Sequence, residues 1–418
     1  MLKKWSVRSR ALVGLAGLVL LVLPYILVNS PTFVVAGNTI ALGTDTASYA
    51  VVAAVGVLSL VLLLGRCGQL SLATGFFVGA GAYLSMIFTI ELHAPFPVAV
   101  VGAGVCCGLL GALLGLPALR IRGTYLALVT ITLAAVFPAL VRLPAIKEWT
   151  GGSNGLLLPG VPEAPDWLPI ADAPRLLGRI PVIGPFYIGD RPLSSAQAGT
   201  VWTYFAVLLA AGLVFWLVAG ITRGRIGRAL TATRDHEVGS AASGVNTARL
   251  IVTTYGVSSA VAGISGGLYA AVFRIVAPET FGLTLAIYLL FGLILGGQRS
   301  AWGAVIGGIA VAYLPFLTGS IQHVPGIPAR FLSGPTASLL LGILLVVLAL
   351  LIPGGVVDPE RSARRRRDRA VRATKDESPP HDGPTMGEEP SASPMTSNLS
   401  GAERSATTMI AERNGHQQ

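Results

Sequence analysis

TASYAVVAAVGVLSLVLLLGRCGQLSLATGFFVGAGAYLSMIFTI, residues 46–90, carries a single charged side chain, Arg66, in a run of apolar and small residues. An α-helix rises about 1.5 Å per residue, so about twenty such residues cross a hydrocarbon core of roughly 30 Å. The stretch therefore reads as two spans, 46–64 and 69–90, that turn at Arg66. In lipid each span must satisfy its own backbone N–H and C=O groups, so both are expected to be helices.

Outward from this pair, the same test selects segments near 11–29, 96–116, 124–143, 200–220, 251–273, 280–297, 301–317 and 335–352. The expected fold class is an all-α polytopic membrane protein with about ten transmembrane helices. A re-entrant half-helix around 66–80 is the place where that count would change. Composition agrees: 53% of the 418 residues are hydrophobic, 12% are charged and mean hydropathy is +0.69. A soluble domain carries about 25% charged residues, so this chain lacks the polar surface of a water-soluble fold. The 51 glycines suit helices that approach closely in lipid.

The net charge of +10 does not point to nucleic acid. The basic residues lie between apolar runs and in the tail, the pattern of topology-determining charge. The first run follows Lys3, Lys4, Arg8 and Arg10 and reads as a signal anchor, being longer than a cleaved leader's core. Counted from that basic end, Arg66, Arg120, Arg122, the 222–250 arginines, Arg299 and the tail fall on the cytoplasmic side. The region around Asp45, the Glu91–His93 turn and the 144–199 and 318–334 segments fall outside. Their basic residues include Arg142, Lys147, Arg175, Arg179, Arg191 and Arg330. Both termini are then cytoplasmic.

Residues 1–357 form the membrane domain on this reading, and 358–418 a disordered cytoplasmic tail, basic then polar, whose arginine run holds the end inside or rests on anionic membrane lipid. The external 144–199 loop is rich in proline, with TGGSNG and YIGD as turns; it is either a docking surface or a simple cover. Cys67, Cys106 and Cys107 do not form a disulfide framework, and the Cys106–Cys107 pair reads as helix packing. The chain shows no HExxH, P-loop or nucleophile-elbow motif, so no hydrolytic centre, ATP site or cofactor is expected.

Three stretches exceed what anchoring needs. In 65–86, Gln69, Ser71 and Thr74 put polar groups near the cytoplasmic end of a span, as a broken helix lining a permeation path would. In 119–156, Thr124, Thr130 and Thr132 sit in an apolar span that Pro138 should kink, although threonines often bond their own i−4 carbonyl. The TGGSNG turn that follows has the flexibility of a loop that moves when a pore opens. In 222–250, basic residues, Asp235-His236-Glu237 and a small-residue run suggest a short amphipathic helix and a turn that fit a partner's groove. Asp235 or Glu237 near its start would favour the helix N-terminus. A solvated topogenic loop is the competing reading.

The motifs GRCGQLSLATGFFVGAGAY (65–83), LRIRGTYLALVTITL (119–133), WTGGSNGL (149–156) and GRALTATRDHEVGSAASGVNTAR with SSAVAGISGGLYA (227–270) carry a resemblance. With APETFGLTLAIYLLFGLILGG (277–297) and WGAVIGG (302–308), the chain resembles LivM-type permease subunits of high-affinity branched-chain amino acid ABC transporters over roughly 45–355. The resemblance implies a multi-pass protein of the bacterial inner membrane that provides an alternating-access path for an amino-acid solute. Implied partners are a second homologous permease subunit, cytoplasmic ABC ATPase subunits that hydrolyse ATP, and an external solute-binding protein.

Glu237, Ala241, Ala242 and Gly244 match the family's coupling helix. Two departures stand out: Arg299 occupies a usual glycine position in GGQRSAWG, and Arg274 a position that is often small. Burying an arginine costs roughly 2.5–3.5 kcal/mol on insertion scales, so each must reach an interface, a partner or a cavity. Competing functions are a permease for urea, short amides or other amino acids, a stand-alone secondary transporter, and a scaffold without transport. The secondary transporter is disfavoured because acidic residues are almost absent from the spans away from their ends. A cysteine introduced into 222–250 should label only from the cytoplasm and one in 144–199 only from outside; the reverse pattern would overturn the orientation.

Overall fold

A computed structural model describes residues 32–35, 38–41, 43–120, 124–158 and 194–320, with a few isolated positions beyond them. The expected spans 11–29 and 335–352, the YIGD turn and the tail lie outside the described residues. The rest is mostly helical. A short antiparallel pair, β1 (Thr32–Val35) and β2 (Asn38–Ala41), precedes α1 (Thr44–Leu60), which continues as a π-helical turn over Val61–Cys67. Then come α2 (Thr74–Ile90), α3 (Phe96–Ala118), α4 (Thr124–Val141), β3 (Leu156–Leu157) and α5 (Ser195–Arg223). The remainder is α6 (Arg225–Asp235), α7 (Glu237–Ala242), α8 (Thr247–Phe273), β4 (Ile275–Val276), α9 (Leu283–Gly296) and α10 (Ala301–Ser320).

Among the described residues, five segments are long and apolar enough to cross a membrane: Thr44–Cys67, Phe96–Ala118, Gln197–Arg223, Thr247–Phe273 and Pro278–Gly296. Tyr125–Val141 with Pro144–Thr150 makes a sixth if that pair, bent by 64°, is one span. The helices Thr74–Ile90 and Ala301–Pro315 are apolar but shorter. The expected 69–90 span starts as a helix only at Thr74; residues 68–73 are non-helical, and Ser71, Leu72 and Ala73 are buried. Irregular backbone at that depth is tolerated because protein covers it. Pro138, expected to kink its span, lies inside a helix that runs on to Val141, and the bend comes at the break before Pro144. Gly282 faces the Pro138 turn, where an added methyl would meet Pro138 at ordinary contact distance.

The chain is not purely α-helical. β3 pairs with β4 antiparallel, Leu156 opposite Val276 and Leu157 opposite Ile275. This ladder gives partners to backbone groups that end their helices nearby, which a bare turn would leave unsatisfied.

Helix α8 is the centre of the packing, lying most extensively on α3, then on α2 and α1. Asn246 caps its start, Oδ1 accepting from the Arg249 N–H at 2.9 Å. Its inner face is small: Ser258, Ser259, Gly263, Ser265 and Gly266 are buried. A methyl at Gly266 would run into the Val78 carbonyl of α2, and one at Gly81 of α2 into the Gly263 carbonyl. With backbones this close, serine hydroxyls reach across: Ser258 Oγ donates to the Ser59 carbonyl at 2.8 Å and Ser265 Oγ to the Val52 carbonyl at 2.9 Å.

The outer helices reverse the polarity of a soluble protein. Of their apolar windows, 39% of α3 and 28% of α5 is buried, against 78% for the α1 span and 67% for α8. Val98, Val101, Val105, Leu109 and Leu113 make one exposed stripe on α3, and Leu209, Leu213, Trp216 and Leu217 another on α5. Their three- and four-residue spacing marks one helix face, which suits lipid as solvent. Gly266→Val should lower the thermal midpoint in detergent, equivalent to about 1–3 kcal/mol of overpacking or more. Gly212→Ala, at a position with open space, should leave it unchanged or slightly higher; equal midpoints for the two variants would show that close packing is not limiting.

Candidate functional site: the arginine-bearing end

At one end of the bundle, α5 terminates at Arg223 and Gly224 serves both as its C-cap and as the N-cap of α6. A methyl at Gly227 would strike the Thr222 carbonyl, so the chain folds back tightly there. Gly227, Leu230 and Thr233, spaced by three, form the buried face of α6. Leu230 is 1% exposed and packs in a cluster with Leu63, Cys67, Ala118, Leu126, Ile251 and Tyr255. The amphipathic element expected in 222–250 is thus docked on the bundle, and it is two helices rather than one.

Asp235 does not start a helix, as was expected for it or Glu237; it ends α6. The extended backbone of His236 breaks the helix there (φ −148°), so the acidic start falls to Glu237, the first residue of α7. Thr233 and Ser240 share a hydrogen bond at 3.1 Å between their buried hydroxyls and hold α7 against α6. After Ala242, Gly244 turns left-handed with φ +84°. Its N–H donates to the Ala241 carbonyl at 3.0 Å and the Val245 N–H to the Ser240 carbonyl at 3.2 Å, a Schellman closure that needs a residue tolerant of positive φ. Glu237 is half-buried, while Ala241, Ala242 and Gly244 are exposed. Val238, 85% exposed, lies on the same side as Ala241 and Ala242, so α7 presents a small, apolar outer face.

Three arginines from distant segments gather beneath this hairpin. Arg234 Nη1 donates to the Gly65 carbonyl at 2.6 Å, and Arg66 Nη2 to the Arg299 carbonyl at 3.1 Å. Burial holds the Arg234 guanidinium below the ordinary arginine range, Arg299 adds to that, and Asp235 opposes it. Arg299 is half-buried at this end, and Arg274 lies half-buried at the opposite one as the left-handed C-cap of α8. Both sit at helix ends rather than mid-span.

Of the residues expected to face a permeation path, Ser71, Thr74 and Thr130 are buried and Gln69 is half-buried. Thr130 Oγ1 donates to the Ala127 carbonyl at 2.9 Å and accepts from the Leu72 N–H at 3.1 Å. Its hydroxyl therefore pins the non-helical 68–73 segment to α4. Ser71 Oγ accepts from the Ala73 N–H at 3.4 Å. Thr124 opens α4, and its side chain is outside the described residues. Thr132 is exposed and bonds its own i−4 carbonyl at 3.0 Å, the structural role. A cavity of about 360 Å³ lies instead between α1, α5 and α10, with an apolar lining that includes Val51, Val55, Tyr204, Phe215 and Tyr313. Cys107 is buried in α3 with its Sγ 3.7 Å from the Phe77 carbonyl, in keeping with helix packing.

The opposite end holds an arrangement that sequence reasoning missed. The 150–155 turn is pinned by the β3–β4 ladder and by the Leu158 N–H donating to the Arg274 carbonyl at 2.8 Å. Gly151, Gly152 and Gly155 all have positive φ. Tyr83 Oη donates to the Val276 carbonyl at 3.2 Å, Arg142 pairs with Glu279, and Tyr83, Phe137 and Phe281 form a ring cluster below. The TGGSNG turn is tied to the bundle by these bonds, and its three glycines adopt positive φ.

The profile of a family described as "Branched-chain amino acid transport system / permease component" matches residues 43–349. The chain is 26% identical over 343 residues to the high-affinity branched-chain amino acid transport system permease protein LivM of Escherichia coli K12, covering 81% of this chain and 75% of that one. It is 28% identical over 280 residues to the Salmonella typhimurium LivM permease, covering 66% and 63%. No solved structure matches. A match across this much of the chain, on a bundle of apolar helices packed through small residues, identifies it as a member of the branched-chain amino acid transport permease family, a membrane permease subunit of an amino acid importer.

Proposed function

We propose that this permease subunit moves branched-chain amino acids by alternating access, driven by cytoplasmic ABC ATPases through the α6–α7 hairpin. Leucine, isoleucine and valine are the solutes suggested by the family; other amino acids, urea and short amides are the competing cargo. The single observation that carries the reading is the form of α7. It is a compact helix fixed to α6 by the Thr233–Ser240 bond and turned by Gly244, with Val238, Ala241 and Ala242 exposed for a partner to grip. A short helix with small contacts transmits displacement through packing, which long flexible side chains would absorb.

The remaining parts of the reading follow the charge pattern and the family. The arginine-bearing end is cytoplasmic, as are both termini, and the protein lies in the bacterial inner membrane with about ten spans. A second permease subunit completes the path, an external binding protein delivers the solute, and the ATPases perform the hydrolysis. Gln69, Ser71, Thr74, Thr124 and Thr130 remain the candidates for residues that border the path.

In vesicles containing the full importer, Glu237→Ala should reduce ATP-dependent uptake of labelled leucine about tenfold or more while the complex still assembles, the loss of one partly buried charged contact. Unchanged uptake would remove Glu237 from coupling. Gly244→Ala should also impair uptake, because the left-handed turn costs an alanine about 1–2 kcal/mol, whereas Gly244→Asn should be better tolerated. Equal activity of the two would argue against the turn.

A further inference from the structure

We propose that Arg234 is a positioning residue that locks the α6–α7 hairpin to the π-turn of α1, so that α1, α6 and the α9–α10 turn move as one body. This rests on the coupling reading above and assigns it a mechanical path. Val61–Cys67 forms the π-helical end of α1, with no proline to cause it. Such turns change the direction of carbonyls relative to a regular α-helix and recur at functional positions. Here the Gly65 carbonyl is taken by Arg234 at 2.6 Å, a short, charge-assisted bond.

Gly65 is held from its other side too. A side chain there would collide with the Gln298 carbonyl, so the α9–α10 turn sits directly on the α1 backbone. The next residue, Arg66, adds the bond from its Nη2 to the Arg299 carbonyl at 3.1 Å. Gly68 then closes the π-turn with φ +75°, and a methyl on it would lie 2.7 Å from Arg234 Cγ. Three distant chain segments, Gly65 and Arg234 lying 169 residues apart and Arg66 and Arg299 233 apart, therefore meet through backbone, with two guanidinium groups as the fasteners.

The choice of acceptor matters. An arginine paired with an exposed carboxylate follows a flexible side chain and is weak. Arg234 and Arg66 instead bond main-chain carbonyls, whose positions are those of the helices themselves. At its other end Arg234 stands next to Thr233, whose hydroxyl is bonded to Ser240 of α7. A push on α7 thus reaches α1 through two hydrogen bonds and the buried Leu230, with no loop between them.

The test uses the assembled importer in liposomes, with both permeases, the ATPases and the binding protein. Arg234→Ala should keep ATP hydrolysis but lower leucine moved per ATP about tenfold, as loss of one charge-assisted bond would. Arg234→Lys, which keeps a donor that can reach the Gly65 carbonyl, should recover most of that ratio; a role confined to stability would instead lower hydrolysis and transport together. An unchanged ratio in Arg234→Ala overturns the inference. If Glu237→Ala uncouples transport and Arg234→Ala does not, only this inference fails; if Glu237→Ala is also without effect, the coupling reading itself fails.

A second measurement does not need Arg234→Ala to fold. Spin labels at S243C and Q298C, both exposed positions, in a C106S background should keep one separation in nucleotide-free and vanadate-trapped importer. A separation that changes between those states would overturn the proposal.

Discussion

The close approach of α8 to its neighbours is the constraint on which the rest of the structure depends. Lipid offers no hydrophobic drive between helices that are already apolar, so association relies on dispersion contacts and interhelical hydrogen bonds, both of which require near backbones. Gly266 against Val78 and Gly81 against Gly263 provide that approach. Toward α1, Ser258 and Ser265 add interhelical hydrogen bonds to backbone carbonyls. The large residues are displaced outward, which is why α3 and α5 expose valine, leucine and tryptophan.

That packing leaves two differently built ends. At one, aromatic rings, the β3–β4 ladder and the Arg142–Glu279 pair tie α4 to the region after α8. At the other, the joints are backbone carbonyls gripped by arginines and a helix hairpin with a small exposed face. On the proposed coupling reading, this asymmetry supplies a surface that a motor can push and a connection stiff enough to carry the push into the bundle. The non-helical 68–73 segment, buried from Ser71 to Ala73, lies directly after the π-turn, held by Thr130, and is therefore attached to the same joint.

Much of the site was legible, and for identifiable reasons. The insertion 222–250 stood out because polar and basic residues interrupt apolar runs, and Gly244 fell at a position where only a left-handed turn explains the observed closure. Of the two acidic residues offered for a helix start, Glu237 is the one that takes it, because the extended backbone of His236 leaves Asp235 at the end of α6. Pro138 lies within α4, and the 64° bend falls at the break before Pro144, because the residue preceding a proline is pushed out of the α region, as Leu143 is. The bonds that tie the TGGSNG turn to the region after α8 were not legible, because glycine marks permissive backbone without saying what the turn contacts.

By itself the sequence determined that the chain is a membrane protein, where most of its helices lie and which stretches are polar enough to serve a function. Those properties are sums over local composition and period, and each span must satisfy its backbone within itself. Only the tertiary structure decided that Gly65, Arg66, Arg234 and Arg299 meet, that Thr130 holds Leu72, and that Tyr83 reaches Val276. Contacts of this kind depend on how near two backbones come, and that distance is fixed jointly by small residues on separate helices, which no single stretch of chain encodes.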